Sequence, residues 1–185
     1  FAVTQVLPHL AAENHLDESQ KGAVLSLVAI GTMLSYFVVR LADGLGRKRV
    51  LTITIVGYTL ATLVTALSHG IAMFVIAQIV ARMFLIGEWA ISMVIAAEEY
   101  PAERRGHVIG LIQAASSLGY IFCAGVVPFL VRTGLGWRTV YLVGVIPLVL
   151  MAFARRDLRE TQRFEGVAPS ERPSVFRIFS TPHRN

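Results

Sequence analysis

GAVLSLVAIGTMLSYFVV (residues 22–39) carries no charge, RLADGLGRKR (40–49) carries five, and VLTITIVGYTLATLVTAL (50–67) again carries none. Two uncharged runs of this length joined by a short basic turn decide the fold. A helix rises about 1.5 Å per residue, so about 20 apolar residues cross the roughly 30 Å hydrocarbon layer. No water there satisfies backbone N–H and C=O groups, so a spanning run closes its hydrogen bonds internally as a helix. The same alternation repeats outward along the chain. Spans are expected at 22–40, 50–67, 70–98, 107–131 and 138–154, with 1–10 as the last turns of another. Polar or charged loops are expected at 11–21, 40–49, 68–70, 98–106 and 132–138. The expectation is an all-α, polytopic transmembrane helical bundle over 1–154, followed by a basic, polar stretch over 155–185. The chain opens on Phe1 and ends in polar sequence at Asn185. Both ends read as truncations, so the first helix is expected to be incomplete.

Composition agrees. Hydrophobic residues make up 55% of the chain and charged residues 16%, against about 45–50% and about 25% for soluble domains. The mean hydropathy is +0.62. The net charge of +5 and pI near 9.9 would suit a nucleic-acid binder. The basic residues fall instead in short clusters between apolar blocks, with no basic helix face or aromatic platform, so a nucleic-acid partner is not expected and a lipid bilayer is. The single cysteine, Cys123, excludes a disulfide framework or cysteine-based metal site within this chain.

Small residues recur at intervals of about four: Gly31 and Ser35; Gly57, Ala61 and Thr65; Gly106, Gly110 and Ala114. Such faces let helix backbones approach closely in lipid. The charges also give an orientation. Of the 17 Lys and Arg residues, 13 lie in the loops after the second and fourth spans and in the tail after the sixth, three lie on the other side (Lys21, Arg132, Arg138), and Arg82 is inside a span. Cytoplasmic loops hold the excess of Lys and Arg, so the expectation is a cell-membrane protein with both ends of the bundle cytoplasmic. Tyr100 and Trp137 fall near span ends, as interfacial aromatics do.

Three loop motifs carry a family resemblance. The turn after the second span reads V-R-L-A-D-G-L-G-R-K from Val39 to Lys48. This resembles the cytoplasmic signature G-x-L-A-D-R-x-G-R-[KR] of the major facilitator superfamily: Asp43, Gly46, Arg47 and Lys48 match, while Val39 replaces a glycine and Gly44 a basic residue. The turn after the fourth span, Glu98 to Gly106 followed by Gly110, is similar to that superfamily's E-x-x-P-x-x-x-R-G-x-x-x-G throughout. The tail begins Arg155-Arg156 and continues to Glu160-Thr161, similar to the R-R-x-L-x-E-T of its metabolite–proton and sugar–proton symporter branches. The resemblance covers the whole chain. It implies an N-terminal six-helix half of the general-transporter fold with its first helix truncated, a cytoplasmic central linker over 155–185, and a missing C-terminal six-helix half as partner. Such folds hold solute between two halves near the bilayer midplane.

Two groups of candidate site residues follow. The first is a charge cluster at the cytoplasmic face: Asp43, Gly46, Arg47, Lys48, Glu98, Glu99 and Arg105. Asp43 precedes a helix N-terminus, where the dipole favours a carboxylate, and Glu98 or Glu99 at the end of the fourth span can reach a basic partner there. The expected role is a latch in one state of the transport cycle. The second group lines a solute path. Arg82 and Glu88 sit mid-span, where a charge costs at least about 2.5–3.5 kcal/mol and so faces a partner or a watery cavity. Gln78, Arg82, Leu85 and Trp89 follow one helical stripe; Glu88 lies roughly 120° from Arg82. On the fifth span Gln113, Ser116, Ser117 and Tyr120 form a polar stripe. Arg82 is a candidate anchor for an anionic group, Glu88 a candidate proton carrier or a partner for a helix of the missing half, and the fifth-span residues hydrogen-bonding groups.

The expected function is secondary active transport of a sugar or small organic acid, by proton-coupled symport and alternating access. The alternatives are an efflux antiporter and a non-transporting receptor or scaffold. The drug–proton antiporter motif G-P-x-x-G-G is missing from the fifth span, which weighs against efflux. A membrane enzyme needs His, Asp, Glu or Cys clustered at one depth; the carboxylates are scattered and the histidines (His9, His15, His69, His107, His183) isolated. No enzyme activity and no cofactor are expected, beyond a proton as coupling ion.

Overall fold

The computed structural model describes residues 2–133 and 135–154. The expected linker over 155–185, with its Arg155–Thr161 motif, lies outside the described residues. Six helices follow in order: α1 (Ala2–Asn14), α2 (Glu18–Leu45), α3 (Arg47–Ala66), α4 (Ile71–Glu99), α5 (Ala102–Val131) and α6 (Arg138–Ala154). α2 to α5 are long and apolar enough to cross a membrane, and α6 is a shorter apolar helix.

The helices run past the apolar blocks that announce them, so three of the expected loops shrink. The loop at 11–21 is reduced to His15–Asp17 because Asp17 starts α2 with a reciprocal cap. Its Oδ1 accepts from the Gln20 N–H at 2.7 Å, and its own N–H donates to Gln20 Oε1 at 3.1 Å, satisfying two orphan donors at the helix start. The basic turn at 40–49 is the single residue Gly46, which ends α2 and precedes α3 at φ 97°, a conformation only glycine adopts without strain. The charged turn at 98–106 is only Tyr100 and Pro101. A helix needs internal hydrogen bonds, not an apolar sequence, so it continues into the interfacial region after the hydrophobic run has ended.

Small residues set the closest contacts. A Cβ on Gly31 of α2 would stand 2.4 Å from the Ile79 carbonyl oxygen of α4, and one on Gly87 of α4 would stand 2.7 Å from Val38. One on Gly57 of α3 would enter the Phe84 ring of α4. These absences of side chain let α2 meet the α4 backbone at Gly31 and let the Phe84 and Val38 side chains seat on the bare backbone at Gly57 and Gly87, the close packing that drives helix association where lipid and side chain are equally apolar. The Gly106–Gly110 repeat on α5 differs from that expectation. Nothing comes within 4 Å of a Cβ built at either position, and Val127 is the buried residue of α5.

The pairing pattern has an internal symmetry. α1 packs on α5 and α2 on α4; α1 on α2 and α4 on α5; α2 on α3 and α5 on α6; α3 packs on α6. Renumbering α1–α3 as α4–α6 maps these pairs onto one another, as inverted three-helix repeats do, but the symmetry is incomplete: α3 also packs extensively on α4, and α6 has no comparable packing on α1.

Candidate functional site

The surface divides into two kinds of face. α3 exposes Ile53, Val56, Leu60 and Val64, and α6 exposes Ile146, Leu150 and Phe153. That face suits acyl chains. α4 and α5 expose Arg82, Trp89, Gln113, Ser117 and Tyr120 among their apolar residues, a mixture lipid would not solvate.

Arg82 sits where Gly31 brings α2 against α4. Its Nε donates to Thr32 Oγ1 of α2 at 3.0 Å, which orients the guanidinium plane of an exposed side chain. No ion pair to Arg82 occurs among the described residues. Leu85 and Trp89 continue its exposed stripe. Gln78 does not join them: it is buried, and its Nε2 donates to Thr65 Oγ1 of α3 at 3.0 Å. The stripe is interrupted because α3 returns through the Ser68–Gly70 turn and covers that end of α4. Glu88 is half-buried, within electrostatic reach of Tyr58 on α3, as is Tyr120 of α5. On α5 the Ser116 and Ser117 hydroxyls donate back to the carbonyls of Ile112 and Gln113, each at 3.0 Å. Both serine donors are therefore used within their own helix, while Gln113 and Tyr120 stand exposed.

At the basic end, Arg47 joins three helices. Its Nη2 lies 3.1 Å from Glu98 Oε1 on α4 and 3.5 Å from Asp43 Oδ1 on α2, and its Nη1 donates to the Ala42 carbonyl at 3.4 Å. Arg40 adds a 3.3 Å contact to Asp43. Gly46 makes this possible, since its positive φ folds the first residue of α3 back over the end of α2. Lys48 lies beside this group on α3, and Glu99 ends α4 exposed. Arg105 is not brought in; its Nε donates to the Tyr100 carbonyl of its own turn at 2.8 Å.

The opposite end holds a cluster that sequence reasoning missed. Trp137 is buried, in edge-to-face contact with Phe74 and Tyr141 at centroid distances of 5.6 and 6.1 Å. Its indole N–H donates to Glu13 of α1. Arg138 lies 3.0 Å from Glu13 Oε1, stacks 4.4 Å above the Trp137 ring, and donates to the Ser68 carbonyl at 3.0 Å. The indole hydrogen bond, then Arg138, hold the Glu13 carboxyl below the usual range against the opposing cost of its desolvation. The residue types gave a weak signal, because Trp and Arg at a span end read as interfacial anchors and Glu13 read as loop.

The Major Facilitator Superfamily profile matches residues 1–183. The chain belongs to the major facilitator superfamily. It is 31% identical over 160 residues to a putative metabolite transport protein of Haemophilus influenzae, covering 86% of this chain and 39% of that protein. It is 28% identical over 136 residues to a probable 4-methylmuconolactone transporter of Cupriavidus pinatubonensis, covering 72% and 32%. Among solved structures, the proton:xylose symporter XylE bound to 6-bromo-6-deoxy-D-glucose superposes with a TM-score of 0.77 at 21% identity, over 88% of this chain and 42% of that one. The chain thus spans well under half the length of these relatives and has the fold of the superfamily's N-terminal half. Membership makes it a multi-pass membrane protein of a transport family rather than an enzyme.

Proposed function

We propose that this chain forms the N-terminal half of a secondary transporter that moves a sugar or small organic acid by proton-coupled symport and alternating access. The exposed faces of α4 and α5 would line the solute path against a second six-helix half, with the basic end facing the cytoplasm of a cell membrane. The observation that carries this reading is Arg82, a mid-span cation held by Thr32, exposed and without an ionic partner among the described residues. A charge at that depth needs an anion or water opposite it. Arg82 would anchor an anionic group of the solute, Trp89, Gln113 and Tyr120 would contact its body, and Glu88 would carry the coupling proton. Gln78 has no place in this path. Relatives described as a putative metabolite transport protein, a probable 4-methylmuconolactone transporter and a sialic acid transporter support the class. The test is uptake by the protein expressed from its complete reading frame. Arg82→Leu is expected to lower kcat/KM at least about 100-fold, the size of a lost charge-assisted hydrogen-bond pair, and collapsing the pH gradient should stop accumulation. A normal KM in that variant would remove Arg82 from the binding site. Uptake indifferent to the gradient would remove the proton.

A further inference from the structure

The two charge clusters occupy corresponding positions in the two helix triplets. By chain order α1 corresponds to α4 and α3 to α6, although α3 packs along α4 far more than α6 does along α1. Glu98 is the next-to-last residue of α4, and it pairs at 3.1 Å with Arg47, the first residue of α3. Glu13 is the next-to-last residue of α1, and it pairs at 3.0 Å with Arg138, the first residue of α6. A glycine with positive φ precedes each arginine: Gly46 at 97° directly before Arg47, and Gly136 at 59° just ahead of Trp137 and Arg138. Two residues before each glutamate stands a buried alanine, Ala96 and Ala11, each 3% exposed. The sequences around the two pairs share no motif, so the correspondence lies in position and chemistry.

We propose that Glu13, Trp137 and Arg138 form a brace equivalent to the Asp43–Arg47–Glu98 cluster but at the opposite face of the membrane. Each brace ties the end of one helix, α1 or α4, to the start of its partner helix, α6 or α3, and so sets how readily that helix end opens at its own face. Glu13 and Arg138 are positioning residues; neither is on the face that carries Arg82. The chemistry of the two braces differs. At the basic end Asp43 and the Ala42 carbonyl share Arg47 with Glu98. At the opposite end Trp137 takes that supporting place, since its N–H satisfies one carboxylate oxygen of Glu13 while its ring is locked by Phe74 and Tyr141. The link from brace to access rests on the transport reading. The brace itself does not.

The experiment uses the full-length protein in native membranes with Cys123→Ala and a reporter thiol at one face, Ala11→Cys or Ala96→Cys, and measures maleimide labelling rates. Glu13→Gln or Arg138→Gln is expected to raise the rate at position 11 roughly ten-fold, as loss of a charged hydrogen bond raises local opening, and to leave position 96 unchanged. Arg47→Gln should do the reverse. In uptake assays Glu13→Gln should change maximal rate and leave KM, because the solute contacts are elsewhere. Should Arg138→Gln fail to assemble, Trp137→Phe keeps a ring and removes the N–H, and is expected to raise the rate at position 11 about three-fold. An unchanged rate at position 11 in all three variants overturns the proposal, and so does a rise at both reporters together, which would mean general loosening. A protein that moves no solute would end the transport reading, and the thiol rates would still judge the brace.

Discussion

The two ends of the bundle solve one problem with different materials. At the basic end Arg47 is shared among Glu98, Asp43 and a carbonyl, and Glu98 Oε2 is buried with no hydrogen-bond partner among the described residues. At the opposite end both carboxylate oxygens of Glu13 are engaged, and the indole that engages one of them belongs to a buried ring cluster. The basic end is thus a charge network with acceptor capacity to spare, suited to exchanging partners, while the opposite end is closed and held chiefly by packing. Similar geometry does not imply similar energetics: what surrounds an ion pair decides what its loss costs.

The largest effect expected from breaking this contrast is at Trp137. Trp137→Ala removes a buried indole from contact with Phe74 and Tyr141 and should cost about 3–5 kcal/mol of stability, read as an early thermal transition in detergent. A variant that melts with the wild type would show that packing does not hold that end. Next come the arginines. Arg47→Ala leaves Glu98, whose side chain is 11% exposed, without its cation, and about 2–3 kcal/mol should be lost. Arg138→Ala leaves Glu13, 46% exposed, to water, and about 1 kcal/mol or less should be lost. Denaturation of the two variants side by side checks the order, and equal losses would erase the difference between the ends. The smallest effect is with pH. The folded state holds the Glu13 carboxyl low, so its contribution to stability is full above the ordinary glutamate value of 4.5 and is lost as the pH falls below it through the folded value. Hydrogen exchange at the end of α1 should quicken in that window in the wild type and be insensitive to it in Glu13→Gln.

The basic end was legible because its residues sit in two loop motifs beside apolar blocks, where a run of charge marks the point at which a span leaves the hydrocarbon. Asp43, Arg47 and Glu98 do meet. Arg105 shares a motif with Glu98 yet bonds its own turn, since Pro101 separates the two helices so abruptly that the Arg105 side chain folds back on Tyr100. The solute face was legible in part. Arg82 and Trp89 share an exposed stripe as the helical period requires, but Gln78, on the same stripe by spacing, is covered by α3. Periodicity gives the direction of a side chain around its own axis and says nothing of what stands opposite.

The sequence by itself determined that this is a helical membrane bundle, where its helices lie to within several residues, and the family to which it belongs. Those follow from the length of uncharged runs and from short local patterns, which depend on backbone hydrogen bonding and hydration along one stretch of chain. Only the tertiary structure decided that the turns shrink to as little as Gly46, that Thr32 holds Arg82, and that Glu13 meets Trp137 and Arg138 from the far end of the chain. These are meetings of distant segments, such as the one Gly31 permits between α2 and α4 beside Arg82, and no local pattern records them.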